Sequence, residues 1–550
     1  MCTSTAHVHL LQFLIYYIAS SNAISIALRP NTPELINLSP RSHTTLSVSN
    51  ITSTTSYGIF QAHSQFKNIT LSLYRNITSE TSETGHSVGV LIVVKEQTTL
   101  NVFIASHHNV TLVVLVVVTF AENALTPVPG GCNLEFNMEN DPNFHLSYQS
   151  DITDVKFQWG SSSTKDDSCE KSAALTQMSY HFYVYYIGDN DLSQHALFDG
   201  VSKMTTVENI QENGKKLKEI KYSSSTLPLL KLPTYTEQGT IYNLIVQHGD
   251  KMAAYVPITT YSRNLGNYVN TAGKVLLTIS GIVGLLLCFA GHRYFQTGIF
   301  LMSFCGMLVV FYLVLCSVTT QSLIVTIVVS CILATIAAVL WLMVWWCLGQ
   351  SVLSVLVPGL TAGYLFACIL FYTPFGNISY WSARYNYGMA FCVAVLILPV
   401  LLLYWTKVLN IISCAFIGSF LTTLTVDVWI NSGLKYIVIN TFRHACNSEY
   451  LHVVVTGPFN SKDIILTCVW AVLFIAGAVF QFYREKGRPD FPPCPRKMRQ
   501  LRRLANNGLD PHDSSLQRQT EDDNDESSSL IKPGNRHNYT VIERELSEHP

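Results

Sequence analysis

Within the apolar runs that fill the second half of this 550-residue chain, the one ionisable residue at depth is Asp427, in Leu424-Thr425-Val426-Asp427-Val428-Trp429. A charged side chain is costly in a bilayer, and such residues commonly serve ion or proton pathways. Asp427 also lies within about one helical turn of the end of its run. There it can reach interfacial water, or act as a carboxylate bonded to a neighbouring helix. The other intramembrane chemistries lack their residues. No histidine falls in an apolar run, so a seven-helix zinc hydrolase has no ligands. No second aspartate is available for peptide-bond cleavage, and no G-x-S-x-G nucleophile motif occurs. We expect no catalytic residue, no metal and no cofactor.

The polar first half carries a different set of groups. Asn37, Asn50, Asn68, Asn76 and Asn109 each open an N-x-[ST] acceptor, a density that marks a surface-exposed segment of a secreted region. Asn377 opens another beside the membrane, and Asn538 one in the distal tail. Of 14 cysteines, Cys132 and Cys169 are the two in the mature N-terminal region, and in an oxidising compartment they are expected to pair. The loop-entropy argument assigns such a bridge about 4 kcal/mol. Cysteines such as Cys288, Cys305, Cys331 and Cys414 sit in apolar runs and read as small buried hydrophobes. Cys446, between the last two runs, has no obvious partner.

These groups must be positioned by two kinds of element. Hydrophobic residues make up 48% of the chain and charged residues 13%, against about 25% charged in soluble proteins. The composition changes near Thr271. Residues 7–23 form a short apolar stretch ending in small residues, read as a signal peptide although no Lys or Arg precedes it. The alternative is a buried strand or helix of the mature domain. Seven apolar runs, 274–290, 298–317, 322–347, 352–373, 387–405, 408–430 and 464–483, are each near the ~20 residues a helix needs to cross about 30 Å of hydrocarbon. Short connections make neighbouring runs antiparallel. Basic residues favour an outside amino end: Arg293, Lys407 and the tail, beginning Arg484, Lys486 and Arg488, fall inside. Pro358 and Pro399 are expected to kink their helices, and Gly359 with Gly363 to let helices pack closely.

Between residues 24 and 270 the pattern is β. Runs at 44–48, 69–74, 87–95, 100–105 and 111–120 are rich in Val, Thr, Ile and Leu, and a second group spans 146–148, 155–159, 181–186, 242–247 and 252–259. A helical piece is expected at 192–204, followed by a charged stretch at 215–221. The fold class is therefore a β-rich, sandwich-like ectodomain, an α-helical seven-span bundle and a disordered tail. The boundaries read as signal peptide 1–23, β modules 24–125 and 126–272, membrane domain 273–483 and cytosolic tail 484–550.

The tail reads as an address. Residues 484–503 hold eight basic and two acidic side chains, which suits anionic lipid or simply sets topology. Cys494 is a palmitoylation candidate. Glu526 with Leu530-Ile531 resembles an acidic dileucine signal, and Tyr539 with Ile542 a tyrosine-based one. Both present bulky apolar residues that clathrin adaptors could bind.

Several patches resemble one family. Gly130-Gly131-Cys132-Asn133-Leu134-Glu135-Phe136, followed by Glu139-Asn140-Asp141-Pro142-Asn143, is similar to the ectodomain signature of the transmembrane 7 superfamily member 3 family. Cys288-Phe289, with Gly291-His292-Arg293-Tyr294-Phe295, resembles the membrane-domain signature shared with transmembrane protein 198. Thr373-Pro374-Phe375-Gly376-Asn377, Leu409-Asn410-Ile411, Ile417-Gly418-Ser419 and Arg484-Glu485-Lys486-Gly487-Arg488-Pro489 follow in matching order. The resemblance implies a non-enzymatic integral membrane protein, linked to cell survival and damping of endoplasmic reticulum stress, with Wnt-type signalling in the related protein.

Three functional classes stay open. A binding or scaffold protein would engage a protein partner through its ectodomain. A transporter or channel would use Asp427. A receptor would need cytosolic loops, which are only a few residues long and lack both an acidic-Arg-aromatic triplet and an Asn-Pro-x-x-Tyr. The net charge of -1 gives no sign of nucleic-acid binding.

Overall fold

The computed structural model describes residues 25–499, except 96, 133–134, 149–151, 163–176, 189–190, 192, 223–227, 236–237, 262–270, 320–321, 448–449, 451–452, 456, 458, 489, 493–495 and 497–498. It divides into two compact units, one of residues up to 268 together with 452–460, the other of 269–451 and 461 onward.

The first β module pairs two sheets. One runs in the order β1 (Ser25–Ala27), β3 (His43–Ser49), β8 (Thr99–Ala105), β5 (Ile69–Ser72), β6 (Ser82–Gly85). The other runs β2 (Glu34–Leu38), β9 (Leu112–Ala121), β4 (Tyr57–His63), β7 (Ser87–Val93). Successive side chains of a strand point to opposite faces. Leu46, Val48, Leu71, Val102 and Ile104 accordingly meet Leu38, Phe60, Val88, Val90, Val114, Val116 and Val118 in one core. The alternate residues of the second sheet are apolar as well. Leu115 and Val117 of β9 pack with the second module's Leu197, Phe198, Val201, Ile241 and Ile245. Tyr57 and Ile59 of β4 pack with Val128 and Val256. This sheet is covered on both faces, which is why the β9 sequence is an almost unbroken run of Val and Leu.

The second module comprises β10 (Val128–Cys132), β11 (Phe144–Tyr148), β12 (Ile152–Phe157), β13 (Trp159–Ser161), β14 (Ser179–Tyr186), α1 (Gln194–Ser202), α2 (Val207–Asn213), β15 (Lys215–Lys221), β16 (Leu229–Pro233), β17 (Gly239–His248), β18 (Lys251–Ala254) and β19 (Ile258–Tyr261). Its sheets run β15-β14-β17-β18, with β19 on β17, and β11-β12-β16, with β10 pairing β13. Phe144, Phe157, Trp159, Tyr180, Phe182 and Tyr255 form an aromatic core. The helical piece expected at 192–204 is α1, started by the Ser193 hydroxyl accepting the Ala196 N–H. A second helix, α2, starts in the same way on Thr206. The charged stretch is β15, an edge strand whose lysines discourage further pairing. Residues 452–460, assigned from sequence to the membrane domain, group instead with this unit. Val453 bridges Lys231 of β16, and the Val454 N–H reaches the Lys231 carbonyl at 3.1 Å, because the outer edge of β16 offers unpaired backbone groups.

The second unit holds α3 (Thr271–Ala290), α4 (Phe295–Val318), α5 (Leu323–Leu348), α6 (Ser351–Tyr372), α7 (Arg384–Leu402), α8 (Thr406–Ile430), α9 (Tyr436–Cys446) and α10 (Ser461–Arg484). All but the short α9 are long and apolar enough to cross a membrane, seven in number among the described residues. Within their apolar windows 61% of residues are buried in α6 and α8 but only 17–22% in the other five, so α6 and α8 form the centre of the bundle. Pro358 and Pro399 lie inside α6 and α7. A Cβ on Gly363 would fall 2.0 Å from the Val395 carbonyl oxygen, so α6 and α7 touch backbone to backbone there.

The double burial of the second sheet has a direct test. Val116→Asp and Val117→Asp place a carboxylate in opposite cores, and each should cost the full-length protein roughly 3 kcal/mol or more. Thermal melting in detergent should show comparable drops. Tolerance of Val117→Asp would mean that this face is wet.

Candidate functional site

The ectodomain signature residues converge on the seam between the two β modules. Gly130 stands at φ +65°, where side chains are disfavoured, and a Cβ there would sit 1.7 Å from the Asp141 carbonyl oxygen. This close approach lets the Asp141 N–H reach the Gly130 carbonyl at 3.2 Å. The Gly130 N–H donates to the Tyr255 hydroxyl at 3.2 Å, and that hydroxyl donates to the Gln158 carbonyl at 2.7 Å. The Pro142 carbonyl accepts from the Val256 N–H at 3.0 Å. Asn143 then reaches across the seam. Its Oδ1 accepts the Gly89 N–H at 2.7 Å, and its Nδ2 donates to the Gly89 carbonyl at 2.9 Å and to Asp141 Oδ1 at 2.8 Å. One side-chain amide thus satisfies both backbone groups of a residue on β7, the edge strand of its sheet.

Beside this clasp Asp141, 1% exposed, holds His145 Nε2 at 2.7 Å, and the Phe136 ring stacks on the imidazole at 3.7 Å. Burial works to lower the His145 pKa. The hydrogen bond to Asp141 and the charges of Asp141, Glu83 and Glu135 outweigh it, so the net shift is upward. Glu83 is raised by burial and by the Asp141 charge, with His145 opposing. The His145 contact is fully present below its ordinary pKa and fades as pH rises through its folded value.

The same seam buries a polar strip. Gln61 and His63 are 0% and 1% exposed on the β4 face that Tyr57 and Ile59 also present, and His63 lies opposite Ser87 in register. The side-chain polar atoms of Gln61 and His63, and Ser87 Oγ, make no hydrogen bond among the described residues. Burial lowers the His63 pKa to about 3. Among the described residues no group of three His, Cys, Asp or Glu has a metal-binding arrangement.

Asp427 is fully buried, at 0% exposure, rather than open to interfacial water. The helix α8 ends just beyond it, and the chain turns back so that its carboxylate accepts three donors: Ser432 Oγ at 2.6 Å, the Leu434 N–H at 2.9 Å and the Lys435 N–H at 3.1 Å. The two N–H groups belong to the turn that leads into α9. Asp463, in the first turn of α10, accepts the Gly433 N–H at 2.5 Å in the same turn. The membrane-domain signature is also structural. The His292 N–H donates to Gln481 Oε1 at 3.0 Å, and Gln481 Nε2 donates to the Cys288 carbonyl at 2.7 Å, closing the carboxyl end of α3. Asn410 Nδ2 lies 2.9 Å from His292 Nδ1, and Trp470 Nε1 donates to Ser419 Oγ at 3.1 Å. Lys407 Nζ caps the first tail residues through the Glu485 and Arg488 carbonyls, both at 3.2 Å.

The other residues singled out from sequence are dispersed. Asn37, Asn50, Asn68, Asn76, Asn109 and Asn377 are all exposed. Cys132 is buried and disulfide-bonded. Cys169, Cys494, Asn538, Glu526, Leu530, Ile531, Tyr539 and Ile542 lie outside the described residues. Asn143, His63 and Asp463 carry roles that the sequence reading missed. Asn143 had one signal, its place in the Glu139–Asn143 patch. Asp463 had another, since it precedes the last apolar run by one residue.

Three family profiles match in chain order. One described as a TM7SF3-like, N-terminal immunoglobulin-like domain covers residues 25–120, and a TM7SF3-like, second immunoglobulin-like domain covers 127–265. A TM7S3/TM198-like domain covers 277–482. Transmembrane 7 superfamily member 3 of Rattus norvegicus is 30% identical over 479 residues, spanning 84% of this chain and 84% of that protein. The Homo sapiens protein of that name is 30% identical over 481 residues with the same coverage, and the Mus musculus protein 29% over 479.

The His63 environment sets a pH dependence. The unfolded chain takes up a proton below its ordinary pKa of about 6.5, which the folded state refuses down to about 3. Stability therefore rises with pH across that window, at about 1.4 kcal/mol per unit from this one group. His63→Gln should flatten the slope between pH 6.5 and 4.5 by that amount, read as melting temperature against pH on the full-length protein. An unchanged slope would mean His63 is not buried neutral.

Proposed function

The chain belongs to the transmembrane 7 superfamily member 3 family, and on that premise we propose that it is a binding or scaffold protein anchored by its bundle, not an enzyme, transporter or G-protein-coupled receptor. The observation that carries the reading is Asp427. The one carboxylate at depth in the sequence-read spans, the group a transporter would need, already accepts a hydroxyl and two backbone N–H groups. A carboxylate held this way is a structural clamp on the turn between α8 and α9.

Recognition then falls to the paired immunoglobulin-like modules, which engage a protein partner on the lumenal or extracellular side. Exposure of all five N-terminal sequon asparagines supports glycosylation there, and Cys169 is the proposed partner of Cys132 in the same oxidising compartment. The basic juxtamembrane stretch meets anionic lipid on the cytosolic side. Glu526, Leu530, Ile531, Tyr539 and Ile542 recruit clathrin adaptors during passage between the plasma membrane and endomembranes. The cellular role proposed is cell survival through attenuation of endoplasmic reticulum stress.

Asp427→Asn separates anchoring from transport. It should leave ion and solute flux across loaded vesicles unchanged, while lowering the melting temperature by the equivalent of about 1–3 kcal/mol through the lost N–H acceptor. An ion-dependent flux that vanishes in the variant would overturn the reading. Proximity labelling should recover a partner set enriched in folding and stress factors from the ectodomain side and adaptors from the tail. Identical sets from the two sides would overturn it equally. Replacing Leu530, Ile531 and Tyr539 by Ala should raise the surface level, and no change would remove the sorting role.

A further inference from the structure

We infer that Cys316 and Cys446 are the two halves of a disulfide that staples the short helix α9 to the end of α4. The register of the two helices brings them together. Tyr312 of α4 and Phe442 of α9 meet edge to face, with ring centroids 5.1 Å apart and planes at 75°. One helical turn, four residues, further along each helix lie Cys316 and Cys446, on the same faces as the two rings. Their thiols lie close enough to each other to interact electrostatically. Cys316 stands two residues before the end of α4 at Val318, and Cys446 is the last residue of α9. Both are free thiols in the structure. Cys446 is exposed, whereas Cys288, Cys368 and Cys414 are buried within the bundle, out of an oxidant's reach.

The inference rests on the proposed orientation. The chain crosses twice between the ectodomain and Cys316, so the end of α4 lies on the ectodomain's side of the membrane, where disulfide donors keep thiols oxidised. The exchange starts at exposed Cys446, whose sulfur attacks a donor protein disulfide to give a mixed disulfide and release one donor thiol. Cys316 then displaces the second donor thiol. One S–S bond forms as one breaks, and the two protons and two electrons of the pair pass to the donor. Partial burial and the neighbouring Cys316 thiol push the Cys446 thiol up to about 12, which makes it a slow nucleophile and calls for a catalysed exchange. The same property makes it a poor leaving group, so the closed bond resists reduction. Asp427 and Asp463 already bind the turn that leads into α9. A bond at Cys446 fixes its other end.

The test is disulfide mapping of the full-length protein made in a eukaryotic secretory pathway and alkylated with N-ethylmaleimide on lysis. Non-reducing digestion and mass spectrometry should give one linked peptide containing residues 316 and 446, lost on reduction. In Cys446→Ser, and in Cys316→Ala as a second variant, the remaining cysteine should become alkylated. Full alkylation of both cysteines in the unsubstituted protein overturns the pairing, and the glycans separate the causes. If the ectodomain asparagines are glycosylated, the orientation stands and the pairing fails. If they are bare, the orientation fails and takes the pairing with it.

Discussion

A backbone N–H or C=O removed from water must find a partner, and a lone one costs about as much as a lost hydrogen bond. That constraint accounts for most of the conspicuous polar residues in this protein. Asn143 supplies both partners for Gly89 on the edge strand β7. Asp427 and Asp463 supply acceptors for the turn that begins α9. Gln481 does the converse for the carboxyl end of α3, donating to the Cys288 carbonyl. In hydrocarbon no solvent can substitute, so a helix that starts or ends within the bundle needs a side chain of opposite hydrogen-bonding sense nearby. The family's membrane signature patches read as these fixtures and the packing around them.

The same constraint shapes the ectodomain. A sandwich usually leaves one face of each sheet in water, and its strands alternate polar with apolar residues. The sheet containing β9 gives up its wet face to the second module, and Leu115 and Val117 replace the polar residues expected there. Burial reaches β4 too, where Gln61 and His63 stay polar without a described partner. The seam therefore contains an unsatisfied strip beside a fully satisfied clasp. His145 and His63 respond to acid in opposite senses, the first tightening its contact to Asp141, the second resisting protonation.

How much was legible in the sequence follows from the period of each signal. The seven long helices announce themselves through continuous hydrophobicity, and their ends fall within a few residues of the runs read from composition. The β modules show through alternation and turn residues. Short amphipathic pieces do not: α9 carries Arg443 and His444 between apolar neighbours and reads as a loop, yet both are buried. β15 reads as a charged stretch because an edge strand needs only backbone pairing on one side. Val453 and Val454 join the ectodomain through main-chain contacts with Lys231 far away in the chain, which local sequence patterns do not encode. The Gly89–Asn143 clasp links residues 54 positions apart, and no local spacing reveals it.

Where the polar groups are engaged bears on where function resides. A transport pathway through a bundle needs ionisable groups whose hydrogen bonds can be exchanged during a cycle. Here the carboxylates at the ends of α8 and α10 hold a turn together, and breaking those bonds would unfasten α9 rather than move an ion. The ectodomain differs in kind. Its two modules share apolar clusters along one face of one sheet, so they present their outer faces as one preorganised body. Preorganisation lowers the entropic cost of binding a partner, and exposed side chains such as Leu35, Phe66 and Leu125 remain available for contact. The physical asymmetry between carboxylates committed to a turn in the bundle and an ectodomain with free surface supports the proposed reading of recognition over transport.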